Sequence, residues 1–282
     1  MRRFTTSVVT ERPLVGLLLL AELAAAVVLV ARPLGETGSA DQGPPTATHA
    51  ALDVPAPPSD PLTLRDGRTV SMMALGGTQT ADLEGRVWSE LDGAADAVTA
   101  FWGDDWPRNI VVVLTRTDEE FRALAAGEPD IAAATTAQRI VFAPGASSMS
   151  DASLRIVLRH ELFHYAARGR TAADAPRWLT EGVADFVGRP PTPMPGRERA
   201  TELGTLPTDA DLDTPGDVRS LAYDRAWWFT RFVASRYGAD TLRKLYVTAC
   251  GTDHPDQARA IKGALGSDTP QVLAAWRAWL SG

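Results

Sequence analysis

The sequence predicts an α+β fold, in which a small mixed sheet with helices comes first and a mostly helical subdomain follows. Three observations carry this. Strand-like runs are confined to residues 62–144, and from residue 150 onward the apolar spacing is helical. Ahead of both stands an apolar N-terminal stretch long enough for a transmembrane helix.

That stretch is LVGLLLLAELAAAVVLVA, residues 14–31, preceded by Arg2, Arg3 and Arg12 and followed by Arg32 and Pro33. Its one charge, Glu22, costs ~2–3 kcal/mol near a bilayer centre, which the leucines and valines offset. The basic start predicts a cytoplasmic N-terminus and an exported body. Residues 1–32 therefore read as a basic start and membrane anchor, making a single-pass cell-membrane protein whose body is extracytoplasmic. The alternative is a cleaved secretory signal, which shares the basic start and would release the body. Residues 33–61 are rich in Pro, Gly, Ala and Thr without an apolar period, the composition of a linker. His49 lies in it.

The folded domain is expected over 62–282. LTLRDGRTVSMMAL (62–75) reads as two short strands around an Asp66-Gly67 turn. In residues 80–103, Leu83, Val87, Leu91, Ala95, Val98 and Phe101 recur at helical spacing. NIVVVLT (109–115) is a strand, DEEFRALAAG (118–127) a short helix closed by Gly127, and QRIVFAP (138–144) a strand ended by Pro144. Ser150 caps the next helix, which Gly169 ends; residues 175–188 form another, started near Pro176 and stopped at Gly188. A Pro-rich connection (189–198) leads to helices over 220–238, 239–250 and 269–280.

Composition excludes some functions. The net charge is −7 and no basic cluster exceeds Arg2-Arg3, which speaks against a nucleic-acid partner. A single cysteine, Cys250, permits neither an intramolecular disulfide nor a four-cysteine zinc site. Two of the four histidines, His160 and His164, fall in HELFH (160–164).

On a helix, positions i and i+4 share a face, so His160 and His164 can offer two imidazole nitrogens to one ion. Glu161, one residue round the helix, is placed to act as a base on water instead of joining that ligand set. Two ligands and a base are what a zinc metalloprotease needs. A shuffled chain of this composition would show the pattern with a frequency of about 0.002. Five residues alone therefore leave open a chance helix in an anchored structural protein. Zinc with two histidines needs a third protein ligand, and Glu181 follows on the next helix. Four residues further, Asp185 is placed to accept the second ring N–H of a ligand histidine. Taken singly, Glu181 and Asp185 would read as a solvated helix face. Arg155, Arg159, Arg168 and Arg170 surround the motif and place it outside any membrane.

His160-Glu161-x-x-His164 followed by Trp178-Leu179-Thr180-Glu181-Gly182-x-Ala184-Asp185 resembles the gluzincin pattern of peptidase clan MA, and most nearly the peptidase MA-like domains of bacterial exported proteins. The resemblance spans roughly residues 65–250. It implies a thermolysin-like catalytic core, zinc (Zn2+) held by His160, His164 and Glu181, Glu161 as general base and proton shuttle, and an Asp185 contact to one histidine. The implied activity is that of a zinc-dependent metalloendopeptidase or related peptidase, a hydrolase acting on a peptide or protein substrate outside the cytoplasm. In the related aminopeptidase branch a tyrosine on a later helix stabilises the oxyanion. AYDRAWWFTRF resembles that segment and makes Tyr223 the candidate, a core tyrosine being the alternative. The Gly-x-Met-Glu-Asn motif that binds a free amino group in that branch is absent from the sequence. The alternative from another class is a non-catalytic extracytoplasmic binding domain that retains the gluzincin fold; an intact Glu161 argues against it.

Such folds pair an extended peptide with an edge strand before the metal helix, and RIVFA (139–143) is the strand expected to do so. DADLDTPGD (209–217) has alternating acids, but Thr214 and Ser220 stand where a calcium loop needs Gly and Glu, so a capped turn is expected. Trp227, Trp228, Trp276 and Trp279 read as packing residues, and Cys250 as a buried small apolar one.

Overall fold

The computed structural model describes residues 61–125 and 131–282. The anchor, the linker up to residue 60 and Gly127 lie outside these residues. Among the described residues no helix is long and apolar enough to cross a membrane.

Five strands form one sheet: β1 (Leu62–Thr63), β2 (Thr69–Ala74), β3 (Asn109–Leu114), β4 (Ala133–Thr135) and β5 (Ile140–Phe142), in the order β1-β2-β3-β5-β4. The β1–β2 hairpin turns at Asp66-Gly67, where Gly67 takes φ +83°, a conformation open to glycine at little cost. β2, β3 and β5 are parallel, which requires crossovers. Helix α1 (Ala81–Trp102) makes the first; α2 (Asp118–Ala125) and β4 lie in the second. α1 buries Leu83, Val87, Leu91, Ala95 and Val98 as its spacing dictates, with Trp102 buried and Phe101 half-buried at its end.

β4 corrects an expectation. It pairs antiparallel with β5 and takes the sheet edge, so RIVFA is an interior strand with all three β-residues buried. A wholly apolar Ile-Val-Phe run suits a strand covered on both sides, whereas the edge is formed by Ala133, Ala134 and Thr135.

The helical part begins with α3 (Asp151–Ala167), whose Ser150 side chain accepts from Ser153 N–H at 3.2 Å. α4 (Arg177–Gly188) follows, then α5 (Arg197–Leu203), a helix that begins inside the segment read as a Pro-rich connection. The capped turn is the short helix α6 (Asp209–Asp213), closed by a Thr208/Asp211 capping box. α7 (Asp217–Tyr237), α8 (Ala239–Cys250), α9 (Gln257–Leu265) and α10 (Thr269–Leu280) complete the chain; α9 has no counterpart in the sequence reading. Trp228 and Trp276 are buried and Cys250 is fully so.

α1 packs on α3, α3 on α4, and α4 on α7, so α4 is the middle layer. Two glycines let it sit there. A Cβ on Gly182 would lie 2.7 Å from the Ala226 carbonyl oxygen of α7. One on Gly188 would lie 2.9 Å from the Ile156 carbonyl oxygen and 3.4 Å from the His160 nitrogen of α3. The backbones of three helices thus approach at the level of the motif.

Candidate metal centre

His160 and His164 lie one turn apart on α3 with their rings edge to face, centroids 4.7 Å apart, and their Nε2 atoms stand 3.0 Å from each other. α4 brings Glu181 Oε2 to 3.2 Å from His160 Nε2 and 3.5 Å from His164 Nε2. All three side chains are buried. Among the described residues this is the group of His, Cys, Asp or Glu whose donor atoms converge on one point.

The tautomer explains why convergence calls for a cation. His160 Nδ1 faces Asp185 Oδ1 at 2.9 Å, and a carboxylate oxygen accepts, so Nδ1 carries the hydrogen. Nε2 then presents a lone pair towards a carboxylate oxygen and a second imidazole nitrogen. Such an arrangement is stable only if a proton or a metal sits among the three. Burial disfavours the His160 imidazolium, but the hydrogen bonds and charges of Asp185 and Glu181 outweigh it and raise its pKa to about 10. Burial also opposes ionisation of Glu181, yet His164 and His160 hold that carboxyl down to about 2.

The donors fit zinc. Bonds of about 2.0–2.1 Å in tetrahedral array put ligand atoms roughly 3.3–3.4 Å apart, and the three measured separations bracket that spacing. Two imidazoles and one carboxylate also form the donor set of catalytic sites that keep a fourth position open.

Glu161 is fully buried beside this cluster. Thr135 of β4 donates its hydroxyl to Glu161 Oε2 at 2.6 Å and also lies 2.9 Å from the Glu161 carbonyl oxygen. Glu161 Oε1 has no hydrogen-bond partner among the described residues. Burial raises the Glu161 pKa, against the pull of His160, His164 and Thr135. The sheet edge thus meets the metal helix at the carboxylate adjoining the ligands.

Tyr223, on α7, also reaches the site. Its ring centroid lies 6.3 Å from that of His160, and its hydroxyl hydrogen-bonds the Glu181 carboxylate. Burial, then the charges of Glu181 and Asp185, raise its pKa well above the ordinary tyrosine value, so it remains a hydrogen-bond donor. All six residues singled out in the sequence therefore meet in one place: His160, Glu161, His164, Glu181, Asp185 and Tyr223.

Further residues belong to the surroundings. Thr135 gave no sequence signal, since Ala-Ala-Ala-Thr-Thr shows neither strand alternation nor β-branched enrichment ahead of the threonines. Arg177, one turn before Glu181, bonds Asp213 at 2.7 Å and places its charge near Glu181 and Tyr223. Arg189 lies 2.6 Å from Asp185 Oδ2 and 2.8 Å from Asp224. The i,i+4 step from Asp185 to Arg189 was visible in the sequence, but the pairing with Asp224 was not.

No family model matches the chain. No curated protein matches it either. Among solved structures, a point mutant of an M1 zinc metallopeptidase from Deinococcus radiodurans shares 17% identity at a TM-score of 0.44, covering 80% of this chain and 51% of that one. A two-domain M1 zinc metallopeptidase mutant bound to L-tryptophan gives 17% and 0.45 over the same shares. The Deinococcus radiodurans mutant bound to a Tyr-Ser-Ala substrate gives 16% and 0.44, again over 80% and 51%. The chain spans about half the length of these structures.

Proposed function

We propose that the protein is a zinc-dependent peptidase of the gluzincin type, with a peptide or protein substrate. The observation that supports this reading is the convergence of His160, His164 and Glu181 beside a buried, unsaturated Glu161 carboxylate. His160, His164 and Glu181 would hold the ion. Zinc supplies Lewis acidity, lowering the pKa of water and polarising the scissile carbonyl. The remaining work falls to the chain. Glu161 accepts the proton of the attacking water and passes it to the leaving amine, and burial raises its pKa above the ordinary carboxylate value. Thr135 holds Oε2 in place and leaves Oε1 to take that proton. Tyr223 donates to the developing oxyanion. The edge strand β4, in place of RIVFA, is the strand beside Glu161 with which an extended peptide would pair.

The body acts outside the cytoplasm, held by residues 14–31. Proteolysis of intact spheroplasts tests that placement: protection of the domain would overturn it. Zinc content and cleavage of a broad peptide library, for wild type and Glu161→Gln, test the chemistry. A zinc-loaded wild type that cuts and a zinc-loaded variant that does not are the expected results. A wild type without zinc would overturn the reading, and one that binds zinc but cuts nothing would favour the non-catalytic binding domain.

A further inference from the structure

A chain of charges runs from the metal cluster into α7. His160 Nδ1 meets Asp185 Oδ1 at 2.9 Å, and Asp185 Oδ2 meets Arg189 Nη2 at 2.6 Å. Arg189 Nη1 meets Asp224 Oδ1 at 2.8 Å, and Asp224 Oδ2 meets Arg199 Nη2 at 2.8 Å. Asp185 and Asp224 are buried, the Arg189 side chain is 8% exposed, and its guanidinium carbon lies 5.0 Å from the centroid of the Trp227 ring. Arg199, by contrast, is exposed and continues to Glu202 at the surface.

Buried ion pairs of this kind contribute little net stability, because desolvation offsets their attraction. They do fix geometry. A carboxylate that orients a ligand histidine must itself be held in one rotamer. Here one oxygen of Asp185 is committed to His160 and the other to a planar fork whose second arm is committed to α7. Asp224 is the neighbour of Tyr223 in the chain, so securing it fixes the rotation and height of the helix that carries the tyrosine. Gly188, immediately before Arg189, lets this corner lie against the His160 backbone.

We propose that Arg189 is a positioning residue, whose guanidinium bridges Asp185 and Asp224 and so holds the His160 imidazole and the Tyr223 helix in one arrangement. The inference rests on the zinc-peptidase reading of the site. Lysine keeps the charge but cannot form the two-armed bridge.

The test uses wild type, Arg189→Lys, Asp224→Asn and a core control, Phe232→Leu, chosen because Phe232 is buried on α7 and packs against Trp279. Zinc affinity is measured by chelator competition, the cobalt-substituted visible spectrum is recorded, and kcat and KM are separated. Arg189→Lys is expected to bind zinc roughly 10- to 100-fold more weakly, with an altered cobalt spectrum and a loss in kcat larger than any change in KM. Asp224→Asn, which keeps Arg189 packed, shifts the same readouts in the same direction and carries the test if Arg189→Lys does not fold. Phe232→Leu lowers the melting temperature but keeps wild-type affinity and spectrum. Wild-type zinc affinity and spectrum in folded Arg189→Lys or Asp224→Asn would overturn the positioning role while leaving the metal site standing. A wild type that binds no zinc would overturn the site and this inference with it.

Discussion

Helix α7 packs against both α4 and α10, and the two seams differ in their chemistry. The α4 seam is close and adds polar contacts to one aromatic pair, Trp178 against Phe229 at 5.3 Å: Thr230 Oγ1 donates to the Gly182 carbonyl at 2.9 Å, Arg189 bridges to Asp224, and Tyr223 reaches Glu181. The α10 seam is aromatic: Phe229 meets Trp276 edge-on at 5.2 Å, and Trp228 and Phe232 meet Trp279 at 6.0 and 5.8 Å. Apolar burial is the main source of stability, whereas buried charge contributes orientation at a desolvation cost. Phe229 touches both seams, but the charged groups and Tyr223 lie at the α4 seam, so the two should fail differently.

The sharpest break is on the polar side. Glu161→Gln keeps size and the Thr135 contact but removes the carboxylate proposed as base, so peptide hydrolysis should fall by roughly 10²- to 10⁴-fold. Zinc content and melting temperature should stay near wild type. A comparable fall in zinc content would show that Glu161 shapes the ligand set instead of serving as base.

The converse break is on the aromatic side. Trp276→Ala removes a fully buried ring and should cost about 3–5 kcal/mol of stability in denaturant unfolding. Zinc content of the folded protein should be unchanged, because no zinc-site residue packs on that ring. Loss of zinc at a temperature where the variant remains folded would mean the seams are coupled.

Gly182→Ala tests where the seams meet. Its new methyl would press on the Ala226 carbonyl at 2.7 Å, so α4 and α7 must part. The expected cost is about 1–3 kcal/mol, and because Glu181 is the adjacent residue, zinc affinity should fall with it. Stability lost without any change in affinity would show that the ligand set tolerates movement of α4.

The two seams also differ in how legible they were. Helical period alone put His160 over His164 and Glu181 one turn before Asp185, since those relations are local. The tryptophans read as packing for the same reason. What escaped depends on contacts between distant segments. β4 is built of Ala133, Ala134 and Thr135, small because they lie buried between neighbours, and small residues leave no alternating pattern. Its absence from the sequence reading is why RIVFA was expected at the edge. The Arg189–Asp224 bridge joins residues 35 apart and has no periodic signature. α9 differs, since Asp256 caps it and Gly266 closes it in the left-handed conformation, both local signals that the sequence carries. Gly182 and Gly188 could be seen as glycines but not as the points where three backbones meet.

The smallest expected effect concerns a proton. Without metal, the cluster is held together by one: His160 is raised from 6.5 to about 10, and Glu181 is lowered from 4.5 to about 2. A raised histidine stabilises the folded state fully below its unfolded value and loses that contribution as pH climbs through the folded one. A lowered carboxylate stabilises above its unfolded value and loses that as pH falls through the folded one. The metal-free protein should therefore be most stable between 4.5 and 6.5 as far as these two groups decide it, and should weaken as pH rises towards 10. Zinc needs both imidazoles neutral, so at pH 8 its binding should expel about one proton. Calorimetric titration in two buffers of different ionisation enthalpy counts that proton, and melting curves across the same range should lose their downward slope once zinc is added. Binding at pH 8 with no proton released would mean that His160 is already neutral in the metal-free site, and that Asp185 and Glu181 do not overcome its burial. The aromatic seam holds no titrating group, so Trp276→Ala should leave this proton count untouched.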